Sequence, residues 1–251
     1  MSKYLEDLID NQQVDPTSLQ SLRNARDNLE TILRGSWKTG DPNFYYGGSY
    51  AKGTMIKDKF DLDLVVYFPP CNFTVQALYE AIEARLQSNN LVTRRHNVAI
   101  RLPYEGGFHI DVVPGRAIKN DFIYANLWAS EKATTKQTSI KIHIKSIRGN
   151  SRKQKVVKLL KLWNLRQNLN VSSFVFELIV QSSLSGRYVS LENDLLTILQ
   201  FIANNIKTCR LVDPANSNNV VSDELAYGVK VSLETAATAA LNAQYWSHVI
   251  W

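Results

Sequence analysis

The segment at residues 60–68, with the sequence FDLDLVVYF, constrains the fold more than any other part of the chain. Its β-branched and aromatic residues predict a buried strand, which the two following prolines end. Successive side chains of a strand point to opposite faces, so Asp61 and Asp63 share one face while the apolar residues fill the other. Two neighbouring carboxylates repel each other unless a cation lies beside them. The pair therefore predicts a cation site, with a solvated strand face as the alternative.

A third carboxylate, Asp111, lies in another predicted apolar strand. Residues 97–104 and 108–114 are expected to form two strands, and the EGG tripeptide at 105–107 predicts the hairpin turn that joins them. Three convergent carboxylates can hold two divalent ions about 3.5–4 Å apart, the arrangement used for in-line phosphoryl displacement. Their hard oxygens favour Mg²⁺, with Mn²⁺ as the alternative ion, over zinc. The simpler interpretation is an edge-strand carboxylate beside His109.

Helical periodicity predicts most of the remaining structure. Asp15 can cap a helix that Pro16 begins and Gly35 ends. Ser151 and Gln154 form a capping-box pattern before a helix that reaches about residue 168. Further helices are predicted at residues 73–87, 140–149, 172–184, 191–207 and 231–246, with a loop at Asp213-Pro214.

Length and composition fit an α+β fold. The chain of 251 residues is 45% apolar and 21% charged, which excludes wholesale disorder. The order of elements indicates a front domain with a sheet at 1–130 and a helical domain at 131–251. No apolar run reaches the ~18–20 residues of a membrane helix, and the acidic start, MSKYLEDLIDNQQ, is unlike a secretory signal. The two cysteines, Cys71 and Cys209, cannot form a disulfide framework, so a cytoplasmic protein without membrane contact is expected.

Positive charge is concentrated in residues 132–166. The chain has a net charge of +6, and this segment contains eleven Lys and Arg residues and no Asp or Glu. Such a run predicts a surface that binds a polyanion, either an oligonucleotide product or a nucleic-acid activator. A solvated charged face is the alternative.

A glycine loop precedes the two aspartates of the first strand. Gly47-Gly48-Ser49 alone is a weak signal, but the whole segment GGSYAKGTMIKDKFDLDLVVYF resembles the signature of the DNA polymerase β-like nucleotidyltransferases. The resemblance implies that Gly48 and Ser49 bind phosphate. It also implies that Asp61, Asp63 and Asp111 bind two Mg²⁺ ions, and that Asp111 helps to activate the attacking hydroxyl.

The second half of the chain narrows this resemblance. KVVKLLKLWN followed by SSFVFELIV is similar to the helical core of the oligoadenylate synthases and the bacterial CD-NTases, and LVDPANSNNV is similar to an Asp-Pro loop of the former. In those relatives a lysine and a helix-opening serine contact the triphosphate, and Lys161 and Ser173 are the matching positions. The resemblance covers roughly residues 20–230.

The resemblance implies a fold with a polymerase β-like sheet, flanking helices and a C-terminal helical domain. It also implies a template-independent enzyme that joins NTPs into a short cyclic or linear oligonucleotide, with release of pyrophosphate. The product would act as a second messenger in antiviral defence and would be read by a separate effector protein. One alternative is the same chemistry on a tRNA 3′ end, a protein or a small molecule, and another is a catalytically inactive scaffold.

Overall fold

The structure is a computed structural model that describes residues 2–35, 37–104 and 108–251. The chain divides into two compact units. Residues 14–52 and 60–145 form one, called here the sheet unit, and residues 1–13, 53–59 and 146–251 form the other, called the helical unit. The predicted ranges 1–130 and 131–251 differ from these units, because residues 131–145 group with the sheet and the first residues of the chain group with the later helices.

The sheet unit combines strands and helices. Its elements are α2 (Pro16–Leu33), β1 (Asn43–Tyr46), α3 (Gly48–Lys52), β2 (Leu62–Phe68), α4 (Val75–Ser88), β3 (Arg94–His96), β4 (Ala99–Pro103), β5 (His109–Ala117), β6 (Ala125–Ala129), β7 (Thr134–Thr138) and α5 (Ile140–Ile147). The sheet has the strand order β1-β2-β5-β4-β3, and β6 continues from β5 to β7. The strands β2 and β5 are parallel, whereas β1 with β2, and β4 with β5, are antiparallel.

Alternation along β2 and β5 builds the core of the sheet unit. Leu62, Leu64 and Val66 of β2 are fully buried, as are Ile110 and Val112 of β5. Helices α2 and α4 supply further buried leucines and isoleucines to this core. Because side chains alternate, the residues between these apolar positions point to the opposite face. The apolar residues therefore occupy one face of the sheet, and Asp63 and Asp111 lie together on the opposite face.

The helical unit is assembled mainly from amphipathic helices. Its elements are α1 (Ser2–Asp10), α6 (Ser151–Arg166), α7 (Ser173–Ser183), α8 (Leu191–Asn205), a two-stranded sheet of β8 (Val212–Asp213) and β9 (Asn216–Val220), α9 (Tyr227–Leu241), and 3₁₀ turns at Val221–Glu224 and Trp246–His248. Its core contains Leu5 of α1 and Trp163 of α6, and the ring of Trp163 lies edge-on to Phe176 of α7 at 6.2 Å between centroids.

The sequence predictions are confirmed for most elements. Asp15 caps α2 and accepts from the amides of the second and third following residues, each at 3.0 Å. The hairpin of β4 and β5 is present, while its predicted turn at Glu105-Gly106-Gly107 lies outside the described residues. The predicted α+β class is also present.

Three local predictions are wrong. Asn150, rather than Ser151, caps α6, because its side chain accepts from the amide of Lys153 at 3.0 Å. The predicted loop at Asp213 is a small hairpin, held where the buried Asp213 carboxylate accepts from the amide of Ala215 and the side chain of Asn219. The last helix spans Tyr227–Leu241 instead of 231–246.

The remaining elements give no strong local signal. The strand β7 has the sequence TTKQT and lacks apolar alternation, so it was not predicted. Helix α1, with nine residues, was also not predicted. Among the described residues, no helix combines the length and the apolar character that crossing a bilayer would require.

Candidate active site

The strands β2 and β5 place two of the predicted aspartates side by side. Asp63 and Asp111 are direct partners in the parallel register of these strands. Asp61 precedes β2 by one residue and, with period two, belongs to the same face as Asp63. The structure therefore brings the three predicted carboxylates to one face of the sheet unit, near the first residues of β2 and β5.

Gly48 approaches the carboxylate of Asp63 so closely that any side chain at this position would displace it. Its φ angle is +50°, and a Cβ atom at this position would lie 1.6 Å from Asp63 Oδ2. The preceding residue, Gly47, donates its amide to the carbonyl of Asp63 at 2.8 Å. Glycine is needed here both for the left-handed backbone and for the close approach. The glycine loop and the aspartate strand are thus packed as one structural feature.

The crowding of carboxylates changes the acidity of Asp63. Burial of its carboxyl group, together with the charges of Asp61 and Asp111, raises the pKa of Asp63 to about 7, although Lys52 and His109 oppose the shift. The loss of solvation is the largest cause, and repulsion between like charges follows. A cation bound at this face would relieve the repulsion and favour the ionised form.

Arg101 of β4 holds the third carboxylate. It lies directly opposite Asp111 in the β4–β5 register and makes a bidentate ion pair, with Nε–Oδ1 at 2.8 Å and Nη2–Oδ2 at 2.7 Å. Parallel charge-assisted hydrogen bonds of this kind fix the plane of the carboxylate. Arg101 was not among the predicted site residues, because the register across the hairpin is needed to place it.

His109 completes a tight group with two of the carboxylates. It precedes Asp111 by two residues on β5, and its Nε2 atom lies 3.5 Å from Asp61 Oδ2 and 3.9 Å from Asp111 Oδ2. One ligand atom of each of the three residues lies within 4.8 Å of those of the other two. In the sequence His109 is notable only as a neighbour of Asp111, although its spacing of two residues from Asp111 on one strand already places it on this face.

The predicted phosphate-binding residues lie in both units. Ser49 belongs to the short helix α3, and its Oγ atom is buried without a hydrogen-bond partner in the described ranges. In the helical unit, Lys161 of α6 donates from Nζ to the carbonyl of Thr54 at 3.0 Å. Ser173 is the first residue of α7, and the preceding residue, Ser172, caps that helix. The assignment of Gly48, Ser49, Lys161 and Ser173 to nucleotide binding stays a prediction.

Residues 132–166 are divided between the two units, and the part in the helical unit is partly neutralised. Arg152 makes a bidentate pair with the buried Asp194, at 2.7 Å for each bond. Lys155 pairs with Glu6 at 2.6 Å, and Arg166 pairs with Asp58. The segment contains no acid, but distant parts of the sequence supply partners for these three residues. Binding of a polyanion by the rest of the segment stays a prediction.

Comparison with known proteins identifies the family. Residues 1–151, more than half of the chain, match the model of the Second Messenger Oligonucleotide or Dinucleotide Synthetase domain. The chain belongs to this family. Its match includes the glycine loop and all three aspartates, so the predicted resemblance to polymerase β-like nucleotidyltransferases of the CD-NTase branch is confirmed.

Individual relatives agree with the family. A c-di-GMP synthase of Roseivirga ehrenbergii is 29% identical in an alignment of 118 residues that covers 40% of this chain and 31% of the relative. The aligned region therefore spans about a third of that curated protein. The solved structure of Escherichia coli MS115-1 CdnC with ATP has a TM-score of 0.79 at 19% identity, and the match covers 98% of this chain and 94% of that one.

The fold alone is shared with enzymes of other activities. The structure of the Cid1 poly(U) polymerase with 3′-dATP has a TM-score of 0.72 at 15% identity and covers 98% of this chain and 95% of its own. The fold alone therefore does not distinguish between these enzyme activities, and the family match is the finding that assigns the chain.

Proposed function

We propose that this chain is a template-independent nucleotidyltransferase that joins NTPs into a short cyclic or linear oligonucleotide and releases pyrophosphate. One observation carries the proposal: Gly48, Asp63 and Asp111 lie together on adjacent strands of a chain that belongs to a family of second-messenger synthetases. Carboxylates that repel each other at a partly buried site are costly in a fold, and they are typical of sites whose chemistry needs cations.

The three aspartates fit a pair of hard divalent cations. Asp61, Asp63 and Asp111 offer only carboxylate oxygens, which suit Mg²⁺ and, as the alternative, Mn²⁺. When bound, the ions would lower the pKa of the attacking hydroxyl and neutralise the leaving pyrophosphate. In this proposal Asp111, oriented by Arg101, helps to remove the proton of the attacking hydroxyl.

The remaining predicted residues would hold the triphosphate. The hydroxyl of Ser49 is buried without a described partner, which leaves its hydrogen-bonding capacity for a phosphate oxygen. Lys161 and Ser173 would bind other oxygens of the same triphosphate, as the resemblance implies. Together these contacts would hold the reacting phosphorus in line with the attacking hydroxyl.

The wider biological proposal follows from the family. The product would be a second messenger in antiviral defence, and a separate effector protein would read it. Residues of the basic segment outside the three ion pairs would bind the growing product or a nucleic-acid activator. The unpaired thiols of Cys71 and Cys209 support a reducing cytoplasm as the place of action.

Mass spectrometry of the products tests this function. The chain is incubated with each NTP and with all four together in Mg²⁺, without any acceptor, and the products are treated with phosphatase to distinguish linear from cyclic species. We expect an oligonucleotide from NTPs alone. If product forms only after tRNA, protein or a small molecule is added, the alternative acceptor-dependent reaction is correct and this proposal fails.

A further inference from the structure

A buried histidine nitrogen faces two of the candidate metal ligands. The Nε2 atom of His109 has almost no solvent-accessible surface and no hydrogen-bond partner within the described ranges. Its distance of 3.5 Å to Asp61 Oδ2 exceeds the usual 2.7–3.2 Å range for hydrogen bonds to oxygen, and its distance of 3.9 Å to Asp111 Oδ2 exceeds it further. A buried polar nitrogen without a partner calls for an explanation.

The spacing of these atoms suits a shared ion. Ligand atoms that bind one transition ion at about 2.0–2.2 Å lie on the order of 3–4 Å apart. The two distances from His109 Nε2 fall in this range. The set of one imidazole and two carboxylates comes from β5 and from the residue that precedes β2, and one ligand atom of each lies within 4.8 Å of the other two.

Neighbouring groups hold these ligands in place. Arg101 fixes the plane of Asp111 through its bidentate pair. The ring of Phe108, next to His109 in the chain, stacks against Tyr104 at 5.7 Å and Phe60 at 6.4 Å between centroids. These contacts restrain the strand ends that carry Asp61 and His109, and a restrained ligand loses little entropy when an ion binds.

We propose that His109 is a nitrogen ligand of a divalent ion that it shares with Asp61 and Asp111. The inference rests on the proposed function only in taking this face to be a cation site. Imidazole nitrogen binds Mn²⁺ and later transition ions better than it binds Mg²⁺. His109 therefore makes the site selective for a transition ion, with Mn²⁺ the one that also suits the carboxylates.

Pulsed electron paramagnetic resonance with Mn²⁺ alone tests the assignment, using untagged protein. We expect ¹⁴N modulation from a coordinated imidazole in the wild type and its loss in His109→Gln. The control is His96→Gln, which replaces an exposed histidine of β3 on the same sheet and should keep the modulation. The affinity for Mn²⁺ should fall on the order of tenfold or more in His109→Gln, because even outer partners of metal ligands matter by that factor. The affinity for Mg²⁺ should change little.

A second variant keeps the test decisive if His109→Gln does not fold. The chain has four histidines, and replacing His96, His143 and His248 leaves His109 as the single one. Nitrogen modulation in this variant supports the proposal. Mn²⁺ bound without nitrogen modulation in the wild type overturns the role of His109 but leaves the proposed function intact. A wild-type chain that binds no Mn²⁺ at all contradicts both.

Discussion

The carboxylates of the sheet unit and the basic residues of α6 in the helical unit are both dense clusters of charge, yet their environments differ. On β2 and β5, Asp63 lies beside Asp111 and close to Asp61, and its pKa is raised to about 7. On α6, Arg152 instead has a carboxylate partner, Asp194, which lies 42 residues later in the chain, on α8. Carboxylates that the fold holds close together despite their repulsion indicate a bound cation. Basic residues that the fold pairs with carboxylates indicate a contribution to the stability of the fold.

The contact between Gly48 and Asp63 offers the most direct test of whether the carboxylate face serves catalysis. We expect Gly48→Ala to abolish nucleotidyl transfer and to lower the free energy of unfolding by about 3 kcal/mol, from backbone strain and from overpacking against Asp63. Gly149→Ala is the matched control, because its φ is +80° but nothing lies within 4 Å of the added Cβ. Its free energy of unfolding, measured in urea, should fall by only about 1–2 kcal/mol. Equal losses in both variants would contradict the packing argument.

The neutralised part of the basic segment should behave as structure. We expect Arg152→Ala to lower the free energy of unfolding by about 3–5 kcal/mol, because it leaves the Asp194 carboxylate buried and unpaired. Arg148→Ala, an exposed arginine between α5 and α6, should change it by less than about 0.5 kcal/mol. Chemical denaturation measures both. Recovery of most of the loss in Arg152→Ala combined with Asp194→Asn would identify the uncompensated charge as the cause, and no recovery would refute it.

The predicted triphosphate ligands of the helical unit should affect substrate binding. We expect Lys161→Ala to raise KM for NTP about tenfold to hundredfold, since a charge-assisted hydrogen bond contributes about 1.5–3 kcal/mol. Ser173→Ala should raise KM only a few-fold. Steady-state kinetics gives both values, with Arg94→Ala on β3 as the exposed control outside the basic segment. Because Lys161 also binds the carbonyl of Thr54, the melting temperature of each variant must be compared as well. An unchanged KM in both would remove these residues from the site.

The response of the metal-free fold to pH tests the repulsion between the carboxylates. The pKa of Asp63 is raised in the folded state, so the folded chain holds this proton more tightly than the unfolded chain does. Ionisation of Asp63 therefore destabilises the fold, and its cost is absent below about pH 4 and complete above about pH 7. In chelator, Asp63→Asn should melt at a higher temperature than wild type at pH 8, and the difference should shrink at pH 5. A difference that is independent of pH would contradict the repulsion.

The sequence was informative wherever local alternation carried the signal. The strand at β2, the hairpin of β4 and β5, and the shared face of Asp61 and Asp63 all follow from period two and turn residues. The parallel pairing of β2 with β5 does not, because no local pattern determines which strands become neighbours. That pairing sets Asp63 opposite Asp111, so the geometry of the site came only from the structure.

Contacts between distant parts of the sequence were missed for the same reason. The basic segment has no acid of its own, and only the fold reveals that Asp194, Glu6 and Asp58 neutralise part of it. Arg101 also needed the hairpin register. His109 is different, because its place two residues before Asp111 already put it on the aspartate face.

Release of pyrophosphate from a mixture of the four NTPs in Mg²⁺ tests the central claim most directly. The account predicts sustained release by the wild type and by Arg94→Ala, a change at an exposed arginine of β3 outside the basic segment. It predicts no release above background by Asp63→Asn, because the amide has nearly the same shape but lacks the charge that bound cations need. Release by Asp63→Asn at a rate near that of the wild type, from a folded protein, would contradict the assignment of this face as the catalytic site.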